Sequence, residues 1–343
     1  MTGDRPQNGD GSPDRPARAA TSRRLVLATA ALAPMLAGTG TARAHDDGRR
    51  TTDPCHDRRL IHPVNTAESH WQGVTDVLSH KGRMGGDQVY RMGFLRHDLR
   101  VKSYGHSLAP SLGIGSFVSF VRYEDGRTML MGDMAVTEGE MQRVIDVLDG
   151  HGIGQTAIHK HLLSHEPHVW WMHIHGLHRD ELMLARALRE ALAVTGTPPS
   201  AGIPEPADVD LDTSGIDEAL GTKGGTEGEI YKITFARRET IIDHDRVLPR
   251  MTGATTAISF QPVGRGRAII SGDFVMTGQE MQHVVRALRQ GGVDIVSIHS
   301  HMLFEEPRLF FLHFWGIDDG VRLARALRAA VDHTNVSPAG ANE

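Results

Sequence analysis

Cysteine is almost missing from this chain of 343 residues. The one present, Cys55, excludes an intrachain disulfide framework and any zinc site built from several thiolates. Basic charge is not in excess: Lys and Arg total 37 against 42 Asp and Glu, a formal net charge of −5. That balance excludes the basic footprint a nucleic-acid-binding protein carries, so no nucleic-acid partner is expected. The four tryptophans are too few and too clustered to argue for sugar stacking. Glycine-rich stretches such as GRMGGD and GTKGGTEG lack the spacing of a phosphate-binding loop and read as turns. What the chain has in unusual amount is histidine, with 21 residues. Imidazole at that density points to metal binding or proton chemistry. Hydrophobic residues make up 39% and charged residues 23%, a balance that buries a core. The length suits roughly two domains at about 150 residues each.

Residues 1–44 read as an export leader. A polar stretch precedes Ser22-Arg23-Arg24, then an apolar run over residues 25–37, then Ala42-Arg43-Ala44 as an A-x-A cleavage site. The run is too short to span a bilayer comfortably. The paired arginines resemble a twin-arginine export signal, although Val26 stands where Phe is usual. Cleavage would remove six Arg and three Asp, leaving 31 basic and 39 acidic residues. Cys55 follows no small apolar lipobox, so no lipid anchor is expected. The expected location is therefore secreted or in the cell envelope.

The body of the chain is duplicated. Residues 131–176 and 271–316 align without a gap at an offset of 140, with 17 identities in 46 positions. The match extends through SFVSF against TAISF and LARALREAL against LARALRAAV. Two homologous units follow, 68–197 and 212–335, joined by a Pro- and Gly-rich linker at 198–211. A flexible tail at 45–67 and a short tail at 336–343 complete the division. A period this long denotes two domain-sized copies rather than a solenoid.

Within each copy the pattern predicts an α+β fold: two homologous sandwich domains, each a largely antiparallel sheet with helices. Alternating segments lie near residues 89–95, 117–123 and 128–136. Thr137 and Glu140 then form a capping box, repeated as Thr277 and Glu280. The helix that follows carries Met141, Val144, Ile145 and Leu148 on one face. Two further strands, 156–163 and 168–175, are expected to pair through a tight connection at Glu166-Pro167, before a last helix with Leu184, Leu188 and Leu192.

That hairpin carries the candidate site. His159 and His161 are two apart on a strand and so share a face. With the turn centred on Glu166-Pro167, His161 falls opposite His173. Three imidazoles can then converge on a divalent transition metal, zinc or copper. Glu166 is the candidate fourth ligand or general base. The second copy repeats the set as His299, His301, His313 and Glu306. The extra His165 and His175 favour the first copy as the metal site, and Trp315, expected opposite His299, would shield the second. The competing reading makes His173 and His313 hydrogen-bonded core imidazoles. Asp133 and Asp273, in shared Gly-Asp pairs, read as turn caps or as supports for a ligand imidazole. Arg96-His97-Asp98 and Arg237-Arg238-Glu239 read as anion-binding groups or, in preference, as solvated ion pairs.

The combination of Gly-Asp, a capped helix, HKHLLSHEP or HSHMLFEEP, and a strand ending MHIHG or LHFWG resembles the LppY/LpqO family of exported bacterial proteins. The resemblance covers nearly the whole chain after the leader, in both copies. It implies a duplicated exported protein and supplies no reaction and no catalytic residues. Three functions are thus in play. The first is a metal-binding protein, open to metal-dependent catalysis with Glu166 and Glu306 activating water. The second is a metal-free binding or scaffold protein of the cell envelope. The third is a phosphoester-type hydrolase with duplicated histidine motifs.

Overall fold

The computed structural model describes residues 59–86, 88–198 and 206–339. The expected leader and residues 45–58 of the tail lie outside the described residues. Among the described residues, no helix is long and apolar enough to cross a membrane.

The first repeat opens with a 3-10 turn, Glu68–Trp71, and helix α1 (Gln72–Leu78). Strands β1 (Arg83–Gly85), β2 (Val89–Leu95), β3 (Lys102–Ser103), β4 (His106–Ser107), β5 (Gly115–Arg122) and β6 (Thr128–Thr137) follow. Helix α2 (Glu138–Gly150), β7 (Gly154–His159), β8 (His165–Glu166), β9 (Val169–His178) and α3 (Glu181–Ala193) complete it. The second repeat has the same order without a counterpart to β8: α4 (Thr213–Leu220), β10 (Gly225–Glu227), β11 (Ile230–Arg237), β12 (Ile242–Asp243), β13 (Arg246–Val247), β14 (Thr255–Pro262) and β15 (Arg267–Thr277). Then come α5 (Gly278–Gln290), β16 (Asp294–His299), β17 (Leu309–Asp319), α6 (Gly320–Val331) and β18 (Val336–Pro338).

Each repeat forms one large antiparallel sheet, beside a small one, β4-β3-β8 in the first and β12-β13 in the second. The orders are β1-β2-β5-β6-β9-β7 and β10-β11-β14-β15-β17-β16, with β18 added on β11. The α+β expectation therefore holds in both copies. Helices cover one face of each sheet. In the first repeat Leu130, Met134 and Val136 of β6 pack with Met172 and Ile174 of β9, Val144 and Leu148 of α2, and Leu184 and Leu188 of α3. The alternate residues of the same strands, Ala135, Val169 and Trp171, pack with Ile230, Ile269 and Trp315 of the second repeat. Met129, Met131 and Val121 likewise join the core of the second repeat. The helix-free faces of the two sheets thus close on each other. This is why β6 is buried over Thr128–Val136 rather than alternating between apolar and polar residues. The two sandwiches are not independent bodies on a linker; they share a core.

Both capping boxes form. The Thr137 amide donates to Glu140 Oε2 at 2.8 Å and the Thr277 amide to Glu280 Oε2 at 2.7 Å. The same two glutamates do more. Arg96, fully buried, donates to Glu140 Oε2 at 2.9 Å and to Asp98 at 2.8 and 2.9 Å. Arg237 repeats this with Glu239 and Glu280. In the expected solvated pairs the guanidinium is in fact buried, while its partly exposed carboxylates tie β2 to α2 and β11 to α5. Two tails are also shorter than expected. The Ile61 amide donates to Asp245 and the Val64 amide to Arg122, so residues 59–67 are laid on both repeats. Residues 336–338 form a strand rather than a tail.

Candidate metal centre

The histidines lie between the two helix-free sheet faces. Strand β7 ends at His159, which pairs with Trp171, while Ala157 pairs with His173. Asp133 on β6 is the other neighbour of His173. The second repeat copies this register: His299 pairs with Phe311, and His313 sits between Ser297 and Asp273. Two expectations need correction here. His161 does not pair with His173, because the strand stops at His159 and a bulge between Gln155 and Ala157 shifts the register. Trp315 lies opposite Asp294 rather than His299, and it packs in the apolar cluster instead of shielding a second site.

Nor does each copy form its own pocket. The His159 and His299 rings stack across the repeats with centroids 3.6 Å apart. His161 meets His313 at 3.9 Å, and His301 meets His173 at 3.9 Å. These two contacts are equivalent under exchange of the copies, so the six imidazoles surround a pseudo-two-fold axis. Three sets bring their ligand atoms within 4.8 Å of one another: His159, His299 and His313; His173, His299 and His301; and Asp133, His159 and His161. Donors around a tetrahedral zinc ion at about 2.0–2.1 Å lie about 3.4 Å apart, so side-chain shifts of about 1 Å would close these sets.

Outer contacts aim the rings. His313 Nδ1 lies 3.0 Å from the Gly272 carbonyl, His301 Nδ1 3.2 Å from the Gly253 carbonyl, and His173 Nδ1 3.4 Å from the Gly132 carbonyl. A proton on each Nδ1 donates to its carbonyl, which leaves the Nε2 lone pair free for a metal. His313 Nε2 and His301 Nε2 are indeed buried with no hydrogen-bond partner, as are His159 Nδ1, His299 Nδ1 and Asp133 Oδ1. Buried polar atoms without partners are unusual and each calls for a cause. Burial, reinforced by the neighbouring imidazoles, holds all six histidines below their ordinary range, His173 at about 4 and His299 at about 2. They are therefore neutral at pH 7, the form that ligates metal.

The carboxylates at the centre are aspartates. Asp133 Oδ2 is 3.2 Å from His161 Nε2, and Asp273 Oδ2 is 3.8 Å from His301 Nε2. Burial raises Asp133 to about 6 and Asp273 to about 7. Neither aspartate caps a turn; both lie within long strands. The Gly-Asp pairing has a steric reason. A Cβ on Gly132 would sit 2.2 Å from the Phe117 carbonyl oxygen, and one on Gly272 2.0 Å from that of Ala257. Only glycine lets β5 and β14 approach so closely beside the aspartate.

Glu166 and Glu306 belong to none of the three sets. Both are exposed; Glu166 pairs with Lys102 and Glu306 with Ile242. His165 accepts from the Val169 amide, and Glu305 accepts from the Leu309 amide at the equivalent place, so both hold a loop. His175 faces Asp243 at 3.4 Å. A cavity of about 320 Å³ lined by His62, Arg238 and Arg250 contains none of the six histidines.

A duplicated α+β sheet with a shared His-x-His centre defines the class, and comparison with known proteins places it. Residues 72–194 and 214–333 each match the family described as Domain of Unknown Function (DUF1259). The chain belongs to that family, with two copies. No curated protein matches it. Among solved structures, a double-ringed trimeric shell protein of the RMM microcompartment is 15% identical, covering 60% of this chain and 82% of that one, with a TM-score of 0.18. EtuB from Clostridium kluyveri is 13% identical over 76% of this chain and 94% of its own, with a TM-score of 0.22. The trimeric bacterial microcompartment shell protein PduB is 12% identical, with 76% and 96% covered and a TM-score of 0.19.

Proposed function

We propose that this protein is an exported metal-binding protein of the LppY/LpqO type, holding a divalent transition metal, zinc or copper, between its two repeats. The observation that carries the reading is the convergence of six neutral imidazoles with the buried Asp133 and the half-buried Asp273, with several lone pairs that meet no partner. Of the six histidines only His161 and His299 are partly exposed. A centre this enclosed suits tight retention of an ion better than turnover, which needs an open coordination position. Metal-dependent catalysis with Glu166 and Glu306 activating water gains no support, since both stand outside the ligand sets. The export reading rests on the leader over residues 1–44, and N-terminal sequencing of secreted protein is expected to begin at His45.

The metal-free scaffold reading draws on one observation: His161 stacks on Trp171 at 4.3 Å and His301 on Phe311 at 3.3 Å, as core rings do. Elemental analysis of protein purified without a metal-binding tag separates the two. Bound transition metal in the wild type, diminished in His161→Ala and His301→Ala variants that remain folded, is the expected result. A wild type that takes up neither Zn²⁺ nor Cu²⁺ on reconstitution, with variants that lose only stability, would leave the scaffold reading.

A further inference from the structure

We infer that the centre holds two metal ions, one on each side of the pseudo-two-fold axis; this rests on the metal-binding reading above. Two of the three ligand sets share no member: Asp133, His159 and His161, and His173, His299 and His301. Both can be filled at once. Exchange of the copies extends each to four donors. The first gains His313, whose ring lies 3.9 Å from that of His161. The second gains Asp273, whose Oδ2 is 3.8 Å from His301 Nε2. Each ion then has three imidazoles and one carboxylate, a full tetrahedral set for zinc. In each set the His-x-His pair and the aspartate come from one repeat, and the last histidine crosses from the other.

The remaining set, His159, His299 and His313, describes a single ion on the axis. The unpartnered atoms decide against it. An ion there leaves Asp133 Oδ1 and His301 Nε2 buried and unsatisfied, each at the cost of its lost hydration. Two ions engage both residues. Charge agrees, because two carboxylates, buried Asp133 and half-buried Asp273, one beside each His-x-His pair, serve two dications, whereas an ion held by three imidazoles uses neither. Mutual repulsion of the ions is offset by one negative ligand on each.

The test is Zn²⁺ titration of the full chain after chelator treatment, by calorimetry, with metal content measured after gel filtration. Two equivalents are expected for the wild type. Asp133→Asn and Asp273→Asn preserve side-chain shape, and each is expected to bind one equivalent with an unchanged circular dichroism spectrum. One equivalent in the wild type overturns the two-ion assignment while leaving metal binding intact. No uptake overturns both readings. Two equivalents that persist in both Asn variants overturn the ligand division. Because the wild-type count alone decides between one ion and two, the inference stays testable even if a variant fails to fold.

Discussion

Neutral imidazole is costly to protonate where six rings crowd one buried volume. An unfolded chain protonates its histidines near pH 6.5, while the folded chain holds them well below that. Stability from these groups is complete above pH 6.5 and is lost as pH falls toward the folded values. Asp133 and Asp273 act in the opposite sense: raised from 3.8 to about 6 and about 7, they stabilise at low pH and lose that contribution as pH rises through 6 to 7. Six groups outweigh two, so the metal-free protein is expected to weaken steeply below pH 6.5. The slope is about 1.4 kcal/mol per pH unit for each net proton. Urea unfolding at pH 8, 6.5 and 5 checks this; a midpoint unchanged at pH 5 would mean that the rings are hydrated. Saturating Zn²⁺ is expected to move the loss to lower pH. Gly132→Ala is expected to cost about 3 kcal/mol through overpacking and to lower metal uptake by displacing Asp133, which denaturation and elemental analysis would reveal together. At this scale the sequence was readable for the histidines, because divergence of two copies left them at one offset. The aspartates were harder to read. A Gly-Asp pair ordinarily signals a turn, and only the length of β6 and β15 places it mid-strand.

The elements follow local pattern closely where one chemistry dominates. Thr-x-x-Glu became the start of α2 and of α5, and the apolar stripe after it became their buried face. The β7–β9 hairpin departed from expectation for two physical reasons. A bulge consumed one residue of register, and the segment after His159 left the sheet so that β8 pairs with β3 instead. Neither event has a signature in alternation. The same segment delivers His161 to the centre from beyond the strand end. The Arg96 network shows how much one element boundary carries: the carboxylate that caps α2 also neutralises a buried guanidinium. Arg96→Ala would leave Glu140 and Asp98 without their cation, and breaking a buried pair costs about 3–5 kcal/mol. A correspondingly lower urea midpoint is expected, whereas a loss below 1 kcal/mol would indicate that water replaces the guanidinium. Burial works against the Glu140 carboxylate, but Arg96 and the Thr137 and Gly196 amides hold it below its ordinary range. Its contribution is present above the ordinary glutamate range and fades as pH falls, adding to the acid sensitivity of the centre.

For the molecule as a whole, self-similarity in the sequence revealed two copies but not how they meet. Alignment at an offset of 140 is silent about which faces touch, and the even burial of β6 became intelligible only with the second sheet against it. Because the shared core and the ligand sets both cross the repeats, residues 59–198 expressed alone are expected to expose the Ala135–Trp171 face, to associate or aggregate, and to lack the donors from His299, His301 and His313. Light scattering and Zn²⁺ titration of that fragment check both points; a monomer binding zinc as tightly as the full chain would show that the copies are self-sufficient. The crossing of ligands between repeats has a further consequence in dilute surroundings. A centre assembled between separate subunits comes apart when protein becomes scarce, because occupancy then depends on two molecules meeting. Here the partner is carried on the same polypeptide at a fixed effective concentration. A single molecule, however far from its neighbours, therefore keeps the whole centre.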